Sequence, residues 1–501
     1  MPSLSLPALP RADLRAFAAW PYVPLALALA YAALVPGLRL VPTPEAYDGQ
    51  RLAELALLIG AAVALACSGE GVAAVWRGFS RAARAGWLVL GGLGAASALA
   101  SAAPREGALE VGHLALVLLL AFAVAAAVRR APETAPRAIL FALGAGVLLN
   151  ALGAAVAYAM HVGGAGTPLW PRAGLGFSHV RHFNHLQTWT LALLALPVLG
   201  VGPNAPAGAR RGLARRTFAG ALLAVWWMLA FASGGRATLV AVAVGAAFAT
   251  VAFGRAALPW LRVHAGAAFA GGGLYGLLFL VVARSRTGIA SRVSLDDSDR
   301  FVHWAFAWAQ ARAHPALGLG PMQYARVHPA GMGAHPHNFP LQMAAEWGLP
   351  AALVLGGLLA WGFVAWTRTA RRREGTRAEG ARPAEYVALT ATLVAAGTHA
   401  LLCGVSVMPV SQVVGALVLG WALGRHQAYA AAGRGPDARV PAGSARRVAA
   451  LALALATVTA LAAFPDARDL PGRQKAYQAA YAAAPQSAKF FPRFWQAGYL
   501  F

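Results

Sequence analysis

The sequence predicts an all-α, polytopic membrane protein, and three observations predict it. Of its 501 residues, 59% are hydrophobic and only 12% charged, against roughly 25% charged in an average soluble domain. Apolar runs of about 20 residues, the length a helix needs to cross a ~30 Å hydrocarbon core, recur along the chain. The arginines sit in short clusters between those runs, as topology signals do. That clustering also disposes of the nucleic-acid reading that a formal net charge of +24 invites.

Hydropathy places about thirteen spans near residues 20–40, 53–75, 87–103, 108–128, 138–160, 185–202, 217–233, 237–254, 263–283, 349–366, 386–405, 411–424 and 447–464. Many are rich in glycine and alanine, and small residues let helices approach closely in lipid. One set of connections collects Arg11/Arg15, Arg77/Arg81/Arg84, Arg129/Arg130/Arg137, Arg210/Arg211/Arg215/Arg216, Arg255/Arg262, Arg368/Arg371/Arg372/Arg373 and Arg434/Arg439/Arg446/Arg447. The excess of arginine makes that side cytoplasmic. The opposite side holds residues 41–52, 161–184, 284–348 and the tail 465–501, and it carries nearly all the unusual polar chemistry. The expected organisation is a polytopic domain over 1–464, with a long external loop at 284–348, and an external tail over 465–501. No cleavable signal peptide is evident. Cys67 and Cys403 lie in apolar runs and suggest no disulfide framework.

The loop 284–348 is the longest connection, and a loop of that size usually has a function. Ser298-Asp299 reads as the N-cap of a helix whose aromatics Phe301, Trp304 and Trp308 recur at helical spacing, suited to an interface; His314-Pro315 ends it. Gly318, Gly320, Gly331 and Gly333 then mark irregular chain up to His335-Pro336-His337-Asn338. The tail interleaves Tyr477, Tyr481, Phe490, Phe491, Phe494, Trp495 and Tyr499 with Lys489 and Arg493. It reads as an interfacial segment packed over the external face, or equally as an aromatic anchor in the headgroup belt.

Polar groups at a membrane edge lose solvation unless they meet partners or a substrate. His337 is therefore the leading proton-handling candidate, since imidazole titrates near neutral pH. The competing reading is a hydrogen-bonded structural histidine, but here His335, Asn338 and Gln342 stand beside it. Arg236, after Ser233-Gly234-Gly235, is a cation on the side where cations are scarce, and guanidinium forks bind phosphate oxygens bidentately; the alternative is a snorkelling interfacial residue. Arg300 opens a helix, where a cation is unfavourable, so an acid or an anionic ligand is expected to hold it. Arg284, Arg286 and Arg292 add to the positive potential. Asp296-Asp297-Ser298-Asp299 resembles a carboxylate metal site, but the N-cap and ion-pair reading is preferred. Arg181, Asn184, His185 and Gln187, entering the span at 185, are expected to wall a cavity for a sugar or diphosphate; hydrogen bonding between helices is the alternative. Neither His335-x-His337 nor His182-x-x-His185 has metalloprotease-like partners, so no metal is expected. No phosphate-loop pattern is present, so neither ATP nor another cofactor is expected.

Taken together, His335-Pro336-His337-Asn338-Phe339-Pro340-Leu341-Gln342 with Glu346-Trp347-Gly348 resembles the hallmark of the O-antigen ligase and polymerase superfamily. The Ser233-to-Arg236 turn resembles that family's arginine between two spans, and Arg300 with Trp304, His314-Pro315 and Gly318-Leu319-Gly320 resembles its external loop. The Arg181-to-Trp189 run is similar to a motif of proteobacterial members, and Glu346, Trp347 and the aromatic tail resemble the oligosaccharyltransferase branch. The resemblance implies a metal-independent glycosyltransferase of the bacterial inner membrane. Such an enzyme moves a glycan from undecaprenyl diphosphate, at the periplasmic face, to the lipid A core, to a growing glycan, or to Ser or Thr of a protein. In that reading Arg236 and Arg300 stabilise the departing diphosphate with help from Arg181, His337 serves the acceptor hydroxyl, and Asn184, His185 and Gln187 line the pocket, with inversion at the anomeric carbon. A transporter of a lipid-linked anion is the alternative of another class. It calls for inverted repeats and polar groups in the cytoplasmic half of the spans; the sequence shows neither clearly, and Glu70 and Glu110 are the main acids within spans.

Overall fold

The computed structural model describes residues 20–164, 169, 176–201, 209–284, 300–329, 333–375, 383–432, 441–483 and 493–497. Arg11, Arg15, Arg286, Arg292, the Asp296–Asp299 cluster, Lys489, Phe490, Phe491 and Tyr499 lie outside them. The described chain is helical, with no strand. Its elements are α1 (Val23–Leu34), α2 (Ala46–Ser68), α3 (Glu70–Gly78), α4 (Arg81–Ala100), α5 (Pro104–Arg130), α6 (Thr134–Val162), α7 (Val180–Thr190) and α8 (Ala195–Val198). They continue with α9 (Ala209–Ala232), α10 (Arg236–Phe253), α11 (Leu258–Tyr275), α12 (Arg300–Ala313), α13 (Tyr324–Val327) and α14 (Phe339–Trp347). The last are α15 (Leu349–Gly375), α16 (Pro383–Ala400), α17 (Pro409–Ala432), α18 (Ala442–Ala467) and α19 (Leu470–Ala483).

Among the described residues seven segments are long and apolar enough to cross a membrane. One of them, Arg236–Ala283, is 48 residues long and breaks at Gly254, whose φ of +54° few side chains tolerate. A 3₁₀ turn over Gly254–Ala257 follows, and α11 then runs on into a π-helical turn at Gly276–Ala283. Each of the thirteen apolar runs in the sequence coincides with a helix or a pair of helices, with one departure. Residues 185–202 do not form a continuous span: α7 stops at Thr190, turns follow, and only α8 resumes. Irregular backbone at membrane depth is tolerated only inside protein, and residues 182–196 are all buried.

Small residues hold the helices close. A Cβ added at Gly420 would fall 2.6 Å from Val124 Cβ, and one at Gly424 2.7 Å from Val128 Cβ. This glycine pair, four residues apart, lets α17 press its backbone on α5. At the same end Arg129 donates to Gln427 (3.3 Å), Gln427 donates to Val75 O (3.0 Å) and Arg425 pairs with Glu385 (2.6 Å). The opposite end gathers residues 47–54, 105–113, 178–188, 233–238, 300–329, 333–349, 399–412 and 493–497, so the polar connections described there converge on one another.

Residues 493–497 of the tail pack as core rather than as a belt anchor. Phe494 and Trp495 are buried. Tyr47 Oη donates to Arg493 O (2.6 Å), Arg51 Nε to Phe494 O (3.1 Å), and Gln496 N to Asp48 Oδ1 (2.7 Å). The backbone of 493–497 is thereby sewn onto the start of α2. Tyr481, on α19, stays exposed.

Candidate active site

The chain reaches His337 through α12. Its inward stripe, His303, Ala307 and Ala311, is buried, while Phe301 and Trp308 are exposed. That is the amphipathic pattern expected of a helix lying along an interface. Ala307, Tyr324 and Ala345 form a small core that docks α12 and α13 on α14. Residues 314–320 pair with the far end of α14: Leu319 N donates to Ala345 O, Gly320 N to Glu346 O and Leu349 N to Pro315 O, each at 2.9 Å. Gly318 (φ +67°), Gly320 (φ +105°) and Gly348 (φ +89°) permit these close returns.

α14 begins where the sequence motif places it. Asn338 is the N-cap and accepts from Leu341 N at 3.0 Å, with Pro340 in the first turn. Its amide also donates to Leu401 O (3.2 Å), which ties the motif to the loop after α16. His337, just before the cap, has φ of +54°. Among the described residues only Met322 shares that left-handed conformation without being glycine. A strained backbone at a candidate catalytic residue is a known mark of function.

Two imidazoles and a thiol surround His337. Its backbone N donates to His335 Nδ1 (3.3 Å), and the two rings lie 4.3 Å apart, edge to face. The His303 ring is 5.6 Å away, and its Nε2 accepts from Gly333 N at 3.4 Å. His337 Nδ1 lies 3.8 Å from Cys403 Sγ. His335 is fully enclosed because Gly404 leaves room: a Cβ there would come within 2.6 Å of His335 Nε2. Burial first, then the positive charges of Arg181, His303 and Arg300, pull His337 down to about 3. His335 is pushed well below its usual value by burial and by His337. Both imidazoles are neutral at physiological pH; the lone pair of His335 accepts from the His337 backbone.

The cations arrive from separate elements. Arg300, the first residue of α12, donates from Nε to Leu402 O at 3.1 Å, so a backbone carbonyl helps hold the cation at the helix start. Arg181 is exposed at the start of α7, where His179 caps the helix by accepting from Arg181 N (3.1 Å). Arg236 opens α10, half-buried, immediately after Gly235 packs on Asn184.

Asn184, Gln187 and His185 have protein partners. Asn184 Nδ2 donates to Gln187 Oε1 (2.8 Å) and Ser233 Oγ (2.7 Å), and Gln187 Nε2 to Trp226 O (3.3 Å). These bonds are the inter-helix alternative, and they fix the turn that carries Arg236. His185 Nε2 lies 3.3 Å from Cys403 Sγ. His185, His399 and Cys403 bring one ligand atom each within 4.8 Å of one another, a group that could hold a metal. Local spacing around the two histidine pairs did not reveal it, because the members come from distant parts of the chain.

Beneath α14 lies a buried ion network that sequence reasoning missed. Arg493 Nη2 contacts Glu346 Oε2 (2.5 Å) and both oxygens of Glu110 (2.8 Å each). Gln342 Nε2 donates to Glu346 Oε2 (3.3 Å) and Tyr324 N to Glu346 Oε1 (3.2 Å). Burial raises the Glu346 carboxyl, and Arg493 opposes the rise. Alongside, Arg51 pairs with Glu54 and donates to Gln412 Oε1 (2.7 Å) and Val407 O (2.6 Å), while Phe494 covers its guanidinium at 4.6 Å. A small cleft between the two groups is lined by Gln342, Arg51, Glu110, Gln412 and Arg493. Arg51-x-x-Glu54 inside an otherwise apolar helix was the available signal, since charges three apart share a helical face.

Residues 218–356 match a family model described as O-antigen ligase. The matched segment carries Arg236, Arg300, His335, His337, Asn338 and Gln342. No curated protein matches the chain.

Proposed function

We propose, starting from the match of residues 218–356 to an O-antigen ligase family model, that the protein transfers an oligosaccharide from undecaprenyl diphosphate to an acceptor hydroxyl at the periplasmic face of the inner membrane. The acceptor we favour is the lipid A core; a growing glycan or a protein hydroxyl is the alternative within the same chemistry. The observation that carries the reading is the convergence of Arg181 and Arg300 on a neutral His337 whose backbone is held in a left-handed conformation.

As the anomeric carbon–oxygen bond breaks, negative charge grows on the leaving diphosphate, and fixed cations stabilise that charge without reorganising. Arg300 and Arg236 take this role, with the exposed Arg181 as a weaker helper. The acceptor hydroxyl must lose its proton as its oxygen attacks, and the bare nitrogen of neutral His337 receives it. Asn338, by capping α14 and tying it to Leu401, positions His337. Asn184 and Gln187 position Arg236. His335 buttresses the His337 backbone, and Gln342 belongs with the cleft lined by Arg51 and Arg493, open to a sugar hydroxyl. In this scheme the chain's own side chains supply cation, base and enclosure, and no step draws on ATP.

The test is transfer by purified protein from a labelled lipid-diphosphate oligosaccharide, without ATP, to lipid A core, glycan and peptide acceptors offered separately. Product with one acceptor class supports the reading and names the acceptor. Failure with all three, together with donor movement across proteoliposomes, would establish the transporter instead.

A further inference from the structure

We propose that His185, His399 and Cys403 form a zinc site beside the candidate active site, and that an occupying zinc ion takes His337 as its fourth ligand. The first three offer ligand atoms within 4.8 Å of one another, and all three side chains are buried. They come from α7, the last turn of α16 and the loop just after it, so the site closes only when the helices assemble. In a tetrahedral zinc site, with Zn–S of about 2.3 Å and Zn–N of about 2.0–2.1 Å, sulfur and nitrogen ligands lie ~3.6 Å apart. His185 Nε2 at 3.3 Å and His337 Nδ1 at 3.8 Å from Cys403 Sγ bracket that separation.

The surroundings are those of a ligand set. His399 Nδ1 lies 2.6 Å from Thr188 Oγ1. Thr188 and Thr238 both reach the Asn184 carbonyl, at 3.2 and 2.9 Å. With the Thr188 hydroxyl donating to that carbonyl, its oxygen accepts from His399 Nδ1–H, and Nε2 is left as a bare lone pair. A second hydrogen bond that fixes the tautomer is the usual companion of a ligating histidine. The bland alternative is a thiol hydrogen-bonded to His185. A thiol donates one proton and its sulfur accepts only weakly, whereas three imidazoles gather round Cys403. A soft thiolate with imidazoles selects zinc over magnesium or calcium.

Binding balances simply. Zinc displaces the Cys403 proton to solvent, a zinc–sulfur bond forms, and the neutral imidazoles coordinate through their lone pairs, so one proton is released per ion. Burial pushes the Cys403 thiol up, only partly offset by Arg181 and Arg300, and the same two cations repel the metal ion, which makes this a site of moderate affinity rather than a permanent structural one. An imidazole bound to zinc has no lone pair for an acceptor hydroxyl, so occupancy switches transfer off. That consequence rests on the proposed role of His337; the site itself does not.

Cobalt(II) is the optical probe. Chelator-washed full-length protein in detergent is titrated with Co²⁺, then back-titrated with Zn²⁺. The expected result is one equivalent of Co²⁺ giving a thiolate charge-transfer band in the near ultraviolet and tetrahedral bands in the visible, all removed by one equivalent of Zn²⁺. Cys67→Ser, at the other, exposed cysteine, keeps the bands; Cys403→Ser loses them, and His399→Gln weakens binding at least tenfold. Wild-type protein without the charge-transfer band overturns the site, whatever the variants do. Bands without inhibition of transfer by equimolar Zn²⁺ overturn the recruitment of His337. A preparation that transfers no glycan still shows or lacks the optical bands, so failure of the site and failure of the glycosyltransferase reading are told apart.

Discussion

Arg493 Nη2 lies 2.5 Å from Glu346 Oε2, joining the tail to the motif helix 147 residues earlier in the chain. Both side chains are almost wholly buried, and Glu110 shares the same guanidinium nitrogen. Removing one partner from such a group leaves an uncompensated charge, which costs about 3–5 kcal/mol. Arg493→Met is therefore expected to lower the thermal unfolding temperature of detergent-solubilised protein sharply. The loss carries a pH signature. Without the guanidinium, burial raises the Glu346 carboxyl further above its unfolded value. The folded state then binds more protons than the unfolded one, and stability falls as pH rises. The deficit of the variant relative to wild type is therefore expected to widen as pH rises through about 8, where the wild-type carboxyl ionises beside Arg493 and that of the variant does not. A deficit that does not change with pH refutes the shared-charge account.

His337 provides a pH test of the catalytic reading. An imidazole held at about 3 in the folded protein stays neutral where an ordinary histidine, near 6.5, would be half protonated. Transfer by wild-type protein is expected to stay level from pH 8 down through 6.5, as far as the His337 step controls the rate. The unfolded chain takes up protons below about 6.5 while folded His337 does not, so this residue makes stability decline as pH falls from about 6.5 toward 3. His337→Ala is expected to reduce transfer by about 10²–10⁴-fold, the usual worth of a general base, with insertion and thermal stability retained. A variant that keeps wild-type turnover removes His337 from the mechanism.

For the cations, Arg300→Ala and Arg236→Ala are each expected to cost about 10²–10³-fold in turnover, as loss of one preorganised donor to a developing oxyanion does. Lysine should rescue neither fully, because an ammonium lacks the planar fork that grips a phosphate. Arg181→Ala, at an exposed position, should cost less and respond more to added salt, since screening weakens exposed charges most. Equal losses at all three positions, insensitive to ionic strength, would contradict this ranking.

Much of this was legible in the sequence. Apolar runs gave the helices, and the cap, proline and glycine of Asn338-Phe339-Pro340 to Gly348 gave α14 its bounds. The aromatic spacing at 301, 304 and 308 marked the outward side of α12. Hidden were the contacts between distant segments. Nothing local pairs Arg493 with Glu110, or Cys403 with His185, because such partners are chosen by helix packing, which hydropathy does not encode. The partners of the polar run at 184–188 were hidden for the same reason. Amides entering a membrane helix can face a cavity or another helix, and only the position of Ser233 and Trp226 decides. The break after Thr190 escaped notice because buried irregular backbone is as apolar as a span.

The Gly235–Asn184 contact yields a last prediction, about positioning alone. Gly235 has φ of −72°, which alanine adopts freely, so backbone strain is no obstacle to substitution. Space is the obstacle: a Cβ there would stand 2.7 Å from Asn184 Cγ and 3.0 Å from its Oδ1. Asn184 cannot swing aside, since Gln187 and Ser233 hold its amide. The turn must move instead, carrying Arg236 with it. Such overpacking costs about 1–3 kcal/mol, and a displacement near 1 Å at a reacting group can cost about 10²-fold in rate. Gly235→Ala is thus expected to lower turnover by about 10–10²-fold with only a modest loss of stability. Adding Asn184→Ala removes the atoms that clash, and the double variant should recover part of the lost turnover even though Asn184→Ala alone lowers it. Losses that simply multiply would show that the two residues act separately, and that Arg236 does not owe its place to this contact.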